Sequence, residues 1–75
     1  MPPLPILKPQ EVVRVFERLG YIRHRQTGSH LILAHPDNHV HHPVIPLHNK
    51  DLKRGTLRAI IRQSGMTVDE FLKLL

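Results

Sequence analysis

The stretch KPQEVVRVFERLG places apolar residues at Val12, Val13, Phe16 and Leu19, the spacing of one helical face, with Arg14 and Arg18 toward the polar side. Pro9 costs nothing in a first turn, Glu11 suits the positive end of the helix dipole, and Gly20 can close the helix in the left-handed region. Two alternating runs, YIRHRQ and SHLILA, come next, and the Thr27-Gly28 pair between them predicts a β-hairpin. A loop made of those two residues sets Arg25 opposite His30, His24 opposite Leu31 and Arg23 opposite Ile32. Alternation then turns Ile22, His24, Leu31 and Leu33 toward the helices. Tyr21, Arg23, Arg25, His30, Ile32 and Ala34 take the other face, which sets two arginines beside His30.

Beyond the hairpin, HPDNHVHHP is a turn-rich connection, and VIP is a short third strand whose prolines suit an edge. LHNKDLKRGTL leads into a second helix, clearest over TLRAIIRQSG, with Leu57, Ile60 and Ile61 as its apolar stripe and Gly65 as its stop. Thr67 and Glu70 fit a capping box for a last short helix anchored by Phe71, Leu72, Leu74 and Leu75. The opening MPPLPIL, with three prolines in five residues, reads as an extended and loosely held arm over residues 1–7. Helix, three antiparallel strands, helix and short helix make an α+β fold. Its helices cover one face of the sheet and leave the other open.

Composition narrows the function classes. Seventy-five residues, 40% of them apolar, suit one domain with one core across residues 1–75. The lack of cysteine excludes disulfides and thiolate metal sites and suits a reducing compartment. No apolar run reaches membrane-spanning length, and the first residues carry no basic-then-apolar leader pattern, so a soluble cytoplasmic protein is expected. The net charge of +5, before seven histidines are counted, favours an anionic partner: nucleic acid or an acidic protein.

Three groups of residues carry candidate chemistry. His35, His39, His41 and His42 include a His-x-His, but their spacing fits no closed zinc site. They are expected as exposed loop side chains, with no metal or cofactor. Lys50, Lys53, Arg54, Arg58 and Arg62 gather positive charge before and along the second helix, where they could track phosphates or form an ordinary solvated face. His30 is the third. A guanidinium beside it disfavours the imidazolium and keeps a neutral base available near neutral pH. The same arginines could hold a phosphate while the ring deprotonates the adjacent 2′-hydroxyl. RNA cleavage by that route needs a base, a positioned phosphate and charge stabilisation, and no metal.

The segments RQTGSHLIL, HP and IPLHNKDLKRGTLRAIIRQSGMTVDEFLKLL together resemble the HicA family of mRNA interferase toxins, from about Leu7 to the C-terminus. The resemblance implies a double-stranded-RNA-binding-domain-like α-β-β-β-α fold. It also implies a toxin of a type II toxin–antitoxin pair that cleaves mRNA, arrests translation and is held inactive by a HicB antitoxin. The catalytic histidine of the family's Gly-Ser-His falls on His30, with Gly28 and Ser29 completing the motif. Arg23 or Arg25 would then stabilise the phosphorane, while water, or a second histidine such as His48 in the Pro-x-His element, protonates the leaving 5′-oxygen. The histidine-rich loop and the Pro-rich arm lie outside the motif. A non-catalytic RNA-binding module of the same fold is the alternative reading, and a basic protein-docking partner is a second.

Overall fold

A computed structural model describes residues 4–37 and 40–75. The chain forms α1 (Pro9–Arg18), β1 (Ile22–Thr27), β2 (His30–Ala34), β3 (Val44–Pro46), α2 (Arg54–Gln63) and α3 (Val68–Leu72). The three strands make one antiparallel sheet in the order β1-β2-β3. This is the α-β-β-β-α order of the double-stranded-RNA-binding-domain-like fold, extended by a short last helix.

Helix α1 starts where expected, with Pro9 in its first turn and the Lys8 N–H held by the Glu11 carboxylate at 2.9 Å. It buries Val12, Val13, Val15 and Phe16. Helix α2 buries Leu57, Ile60 and Ile61, and α3 buries Phe71. The α3 capping box is present: the Glu70 N–H donates to Thr67 Oγ1 and the Thr67 N–H to Glu70 Oε1, both at 3.1 Å. The bond from the Thr67 main chain, aided by its side chain, holds the Glu70 carboxyl below its ordinary value. Leu75, expected as an anchor, is instead exposed at the chain end.

Strand β2 alternates cleanly. Leu31 and Leu33 are buried with Ile45 of β3 under the helices, whereas His30 is exposed and Ile32 and Ala34 are half-buried. The loop sits one residue later than expected, which moves the cross-strand partners next to the turn by two residues. Thr27 pairs with His30, Gln26 with Leu31 and Arg25 with Ile32, so the loop is Gly28-Ser29 and Arg25 does not face His30 directly. The cause is the backbone of Gly28, at φ +58°, followed by a serine with negative φ. Positive φ at the first loop position alone is the sign pattern of a type II′ turn, whose glycine must come first.

A second departure lies upstream. Arg23 pairs with Leu33 while Arg25 pairs with Ile32, so His24 is the extra residue of a β-bulge. The bulge exchanges the expected faces at the start of β1. Ile22, opposite Ala34, joins the open face and is 53% exposed, while Arg23 turns to the helix side with Leu33. Tyr21 is also displaced from its expected open face: it is buried with its ring edge-on to Phe16 at 5.2 Å, and burial raises the pKa of its hydroxyl.

The N-terminal arm is not loose from Leu4 onward. Leu4 and Leu7 are buried in the core, and the Leu7 carbonyl accepts the Leu52 N–H at 2.8 Å. Burying two leucines outweighs the lack of regular structure between them.

Candidate nucleic-acid interface

His30 opens β2 on the uncovered face of the sheet, between Thr27 and Pro46 of the neighbouring strands. Its ring is exposed, and among the described residues none hydrogen-bonds to it. The turn beside it is well tied. Gln26 Nε2 donates to the Gly28 carbonyl at 3.1 Å, and the Ser29 carbonyl accepts the Leu47 N–H, which clamps the turn to the end of β3. Gly28 and Ser29 therefore fix the backbone that presents His30. Arg25 shares His30's face at the diagonal position. Diagonal neighbours sit roughly 7–8 Å apart, within reach of an arginine.

Arg23 does not join this face. Its Nε lies 3.5 Å from Glu17 Oε2 on α1, a solvent-exposed pair. It lines an open cleft of about 450 Å³ with Gln10, Arg14, Glu17, His48 and Asn49, over Val13 and Leu47. His30 is not among the residues that line it. Strand β1 buries no residue, and its helix-side surface carries polar side chains beside the cleft. His48 Nδ1 accepts the Lys50 N–H at 3.2 Å. In the neutral ring the proton consequently sits on Nε2, which makes that atom a donor. Nothing bonds His48 to His30.

Arg14, Gln10 and Asn49 were not singled out from the sequence. The helical spacing of Gln10, Arg14 and Glu17 did mark one polar face of α1, which was the available signal.

The remaining cations are divided. Lys50, Lys53 and Arg54 are exposed around the first turn of α2, which has neither an acidic residue nor a side-chain cap. Arg58 and Arg62 line a separate groove of about 440 Å³ between α2 and α3, with Ile61, Met66 and Asp69. Lys8 is paired with Asp51 at 3.2 Å.

The loop histidines are not simply exposed. His35 Nε2 donates to the Leu19 carbonyl at 2.9 Å, and its Nδ1 accepts the Asp37 N–H at 3.1 Å. A Cβ on Gly20 would lie 2.9 Å from that ring, and a Cβ on Gly65 equally close to His41. These two rings fasten the loop to the ends of α1 and α2. His42 is exposed, and His39 lies outside the described residues. Among the described residues no three His, Asp or Glu side chains come together as a metal site, and no helix is long and apolar enough to cross a membrane.

Compared with protein-family models, residues 9–66 match the HicA toxin of bacterial toxin-antitoxin systems. No curated protein matches the chain.

Proposed function

The chain belongs to the HicA toxin family and is a toxin of the toxin–antitoxin type, and from that premise we propose that it is a metal-independent endoribonuclease acting on mRNA with His30 as general base. The observation that carries this reading is the position of His30: an exposed, unengaged imidazole at the rim of the open sheet face, with Arg25 one diagonal away. A buried ring would have no route to a ribose.

In this reading the neutral ring takes the proton of a 2′-hydroxyl. The 2′-oxygen forms a bond to phosphorus as the bond to the 5′-oxygen breaks, leaving a 2′,3′-cyclic phosphate and a 5′-hydroxyl. The Arg25 guanidinium offsets the negative charge that builds on the phosphorane oxygens. Water protonates the leaving oxygen, and the imidazolium returns its proton to solvent. The exposed cations Lys50, Lys53 and Arg54 supply long-range attraction for the polyanion, and Arg58 and Arg62 add to it. The partner antitoxin is of the HicB type and neutralises the toxin by covering His30. The site of action is the cytoplasm, where the mRNA is. Residues 1–75 act as one HicA-like domain, with residues 1–7 as its arm.

The decisive experiment is incubation of the purified protein with RNA in excess chelator. Cleavage persists in the wild type, while His30→Ala, folded by circular dichroism, loses about 10² to 10⁴ in rate. A His30→Ala protein that cuts at the wild-type rate sinks the assignment. RNA binding without any cleavage by the wild type would leave a non-catalytic RNA-binding module.

A further inference from the structure

The α1–β1 cleft has no part in the chemistry at His30, yet it gathers the groups that a phosphate needs. Two guanidiniums, Arg14 and Arg23, line it together with an imidazole whose Nε2 is a donor and the amides of Gln10 and Asn49. Glu17 is the one carboxylate among the lining residues, and its contact with Arg23 is long and exposed. Such a pair contributes little and yields readily to a phosphate.

Two backbone features built this cleft. The bulge at His24 re-aims Arg23 from the His30 face to the helix side. The Lys50 N–H fixes the His48 ring. Bulges recur where a side chain must be redirected next to a functional site. The His48 end of the cleft also abuts the hairpin turn, because the Leu47 that lines it is bonded to the Ser29 carbonyl. His30 follows that turn on the opposite face. Between the two lies Gly28, where an added Cβ would meet nothing within 4 Å.

Resting on the nuclease reading above, we infer that the cleft is a phosphate subsite for single-stranded RNA: it grips a nucleotide flanking the scissile bond while the strand passes over the Gly28-Ser29 turn to His30. Its volume lies within the range of small-ligand sites, roughly 300–1,000 Å³, which suits one nucleotide and not a duplex. Arg14, Arg23 and His48 are positioning residues, and His48 holds a phosphate oxygen through Nε2 and does not serve as the acid. The single-strand requirement agrees with a substrate that is read as unpaired message.

The test measures kcat and KM separately on a short oligoribonucleotide, and equilibrium binding of the same strand to a His30→Ala background. Arg14→Ala with Arg23→Ala raises KM about tenfold or more, as loss of charge-assisted bonds does, and leaves kcat at saturation nearly unchanged. The salt dependence of binding falls by about 0.7 in log–log slope for each phosphate contact removed. Lys73→Ala, the loss of one exposed charge at the C-terminal end of α3, moves neither. His48→Gln, which keeps a donor, is milder than His48→Ala. A 10²-fold or greater drop in kcat for His48→Gln at constant KM overturns the inference and makes His48 the acid. Unchanged KM and salt slope in the double variant overturn it as well, and if the variant also escapes neutralisation by the antitoxin, the cleft belongs to protein recognition. The two readings fail separately. A wild type that never cuts, but whose RNA affinity depends on Arg14 and Arg23, refutes the nuclease and keeps the cleft.

Discussion

Strands β1 and β2 are the two halves of one hairpin, and they obey different rules. β2 alternates between buried positions and exposed or half-buried ones, while β1 has no buried residue at all. The difference is one of place. β2 is central, with a strand on each side and Leu31 and Leu33 in the core; β1 is an exposed edge. A strand relieved of core duty can carry arginines on both faces, and the bulge decides which arginine serves which face. Core burial is thus concentrated in β2, and β1 is left to present polar side chains, with His30 just after the turn between them.

That division can be broken in stages. Leu33→Ala, at a fully buried site on β2, destabilises by about 2–5 kcal/mol, read by chemical or thermal unfolding. A loss below 1 kcal/mol would mean that the sheet's centre is not the seat of the core. Gly20→Ala comes next, at about 1–3 kcal/mol. It puts a Cβ in the left-handed region at φ +97° and 2.9 Å from the ring of His35, which follows β2. Trimming the ring as well, with His35→Ala, relieves the clash but not the backbone strain and gives up the bond to Leu19, so the double variant stays less stable than the wild type. Ile22→Ala on β1 closes the series at under about 0.5 kcal/mol, although the same side chain inside β2 would matter greatly. If Ile22→Ala matches Leu33→Ala, the contrast between the strands is false.

Much of this fold could be read from the chain, for physical reasons. The helical faces, the Thr67–Glu70 capping box and the proline-bounded edge strand all rest on local rules that a sequence displays openly. The hairpin was legible but its register was not, because Gly28 announces a turn without saying which loop position it fills. Only the backbone hand does that. The bulge left no compositional trace: one extra residue, His24, is enough to reverse the faces of Ile22 and Arg23. For the same reason the cleft stayed hidden, although Gln10, Arg14 and Glu17 of its lining share one polar stripe on α1. The loop histidines misled in the opposite direction. A run of imidazoles looks like a metal motif or a solvated tract, and nothing local says that two of them rest on glycines distant in sequence.

The outer rim of β3 bears on how a neutralising protein can approach. The Val44 N–H is already given to Gln63 Oε1 at 3.2 Å, and Pro46 has no N–H to give. Along that border β3 offers an incoming strand no free amide proton, and only its carbonyls could join a ladder, which weakens strand addition there. A protein approaching from that side would lean on side-chain contacts more than a full main-chain zipper does, and its affinity would be the more sensitive to point substitutions.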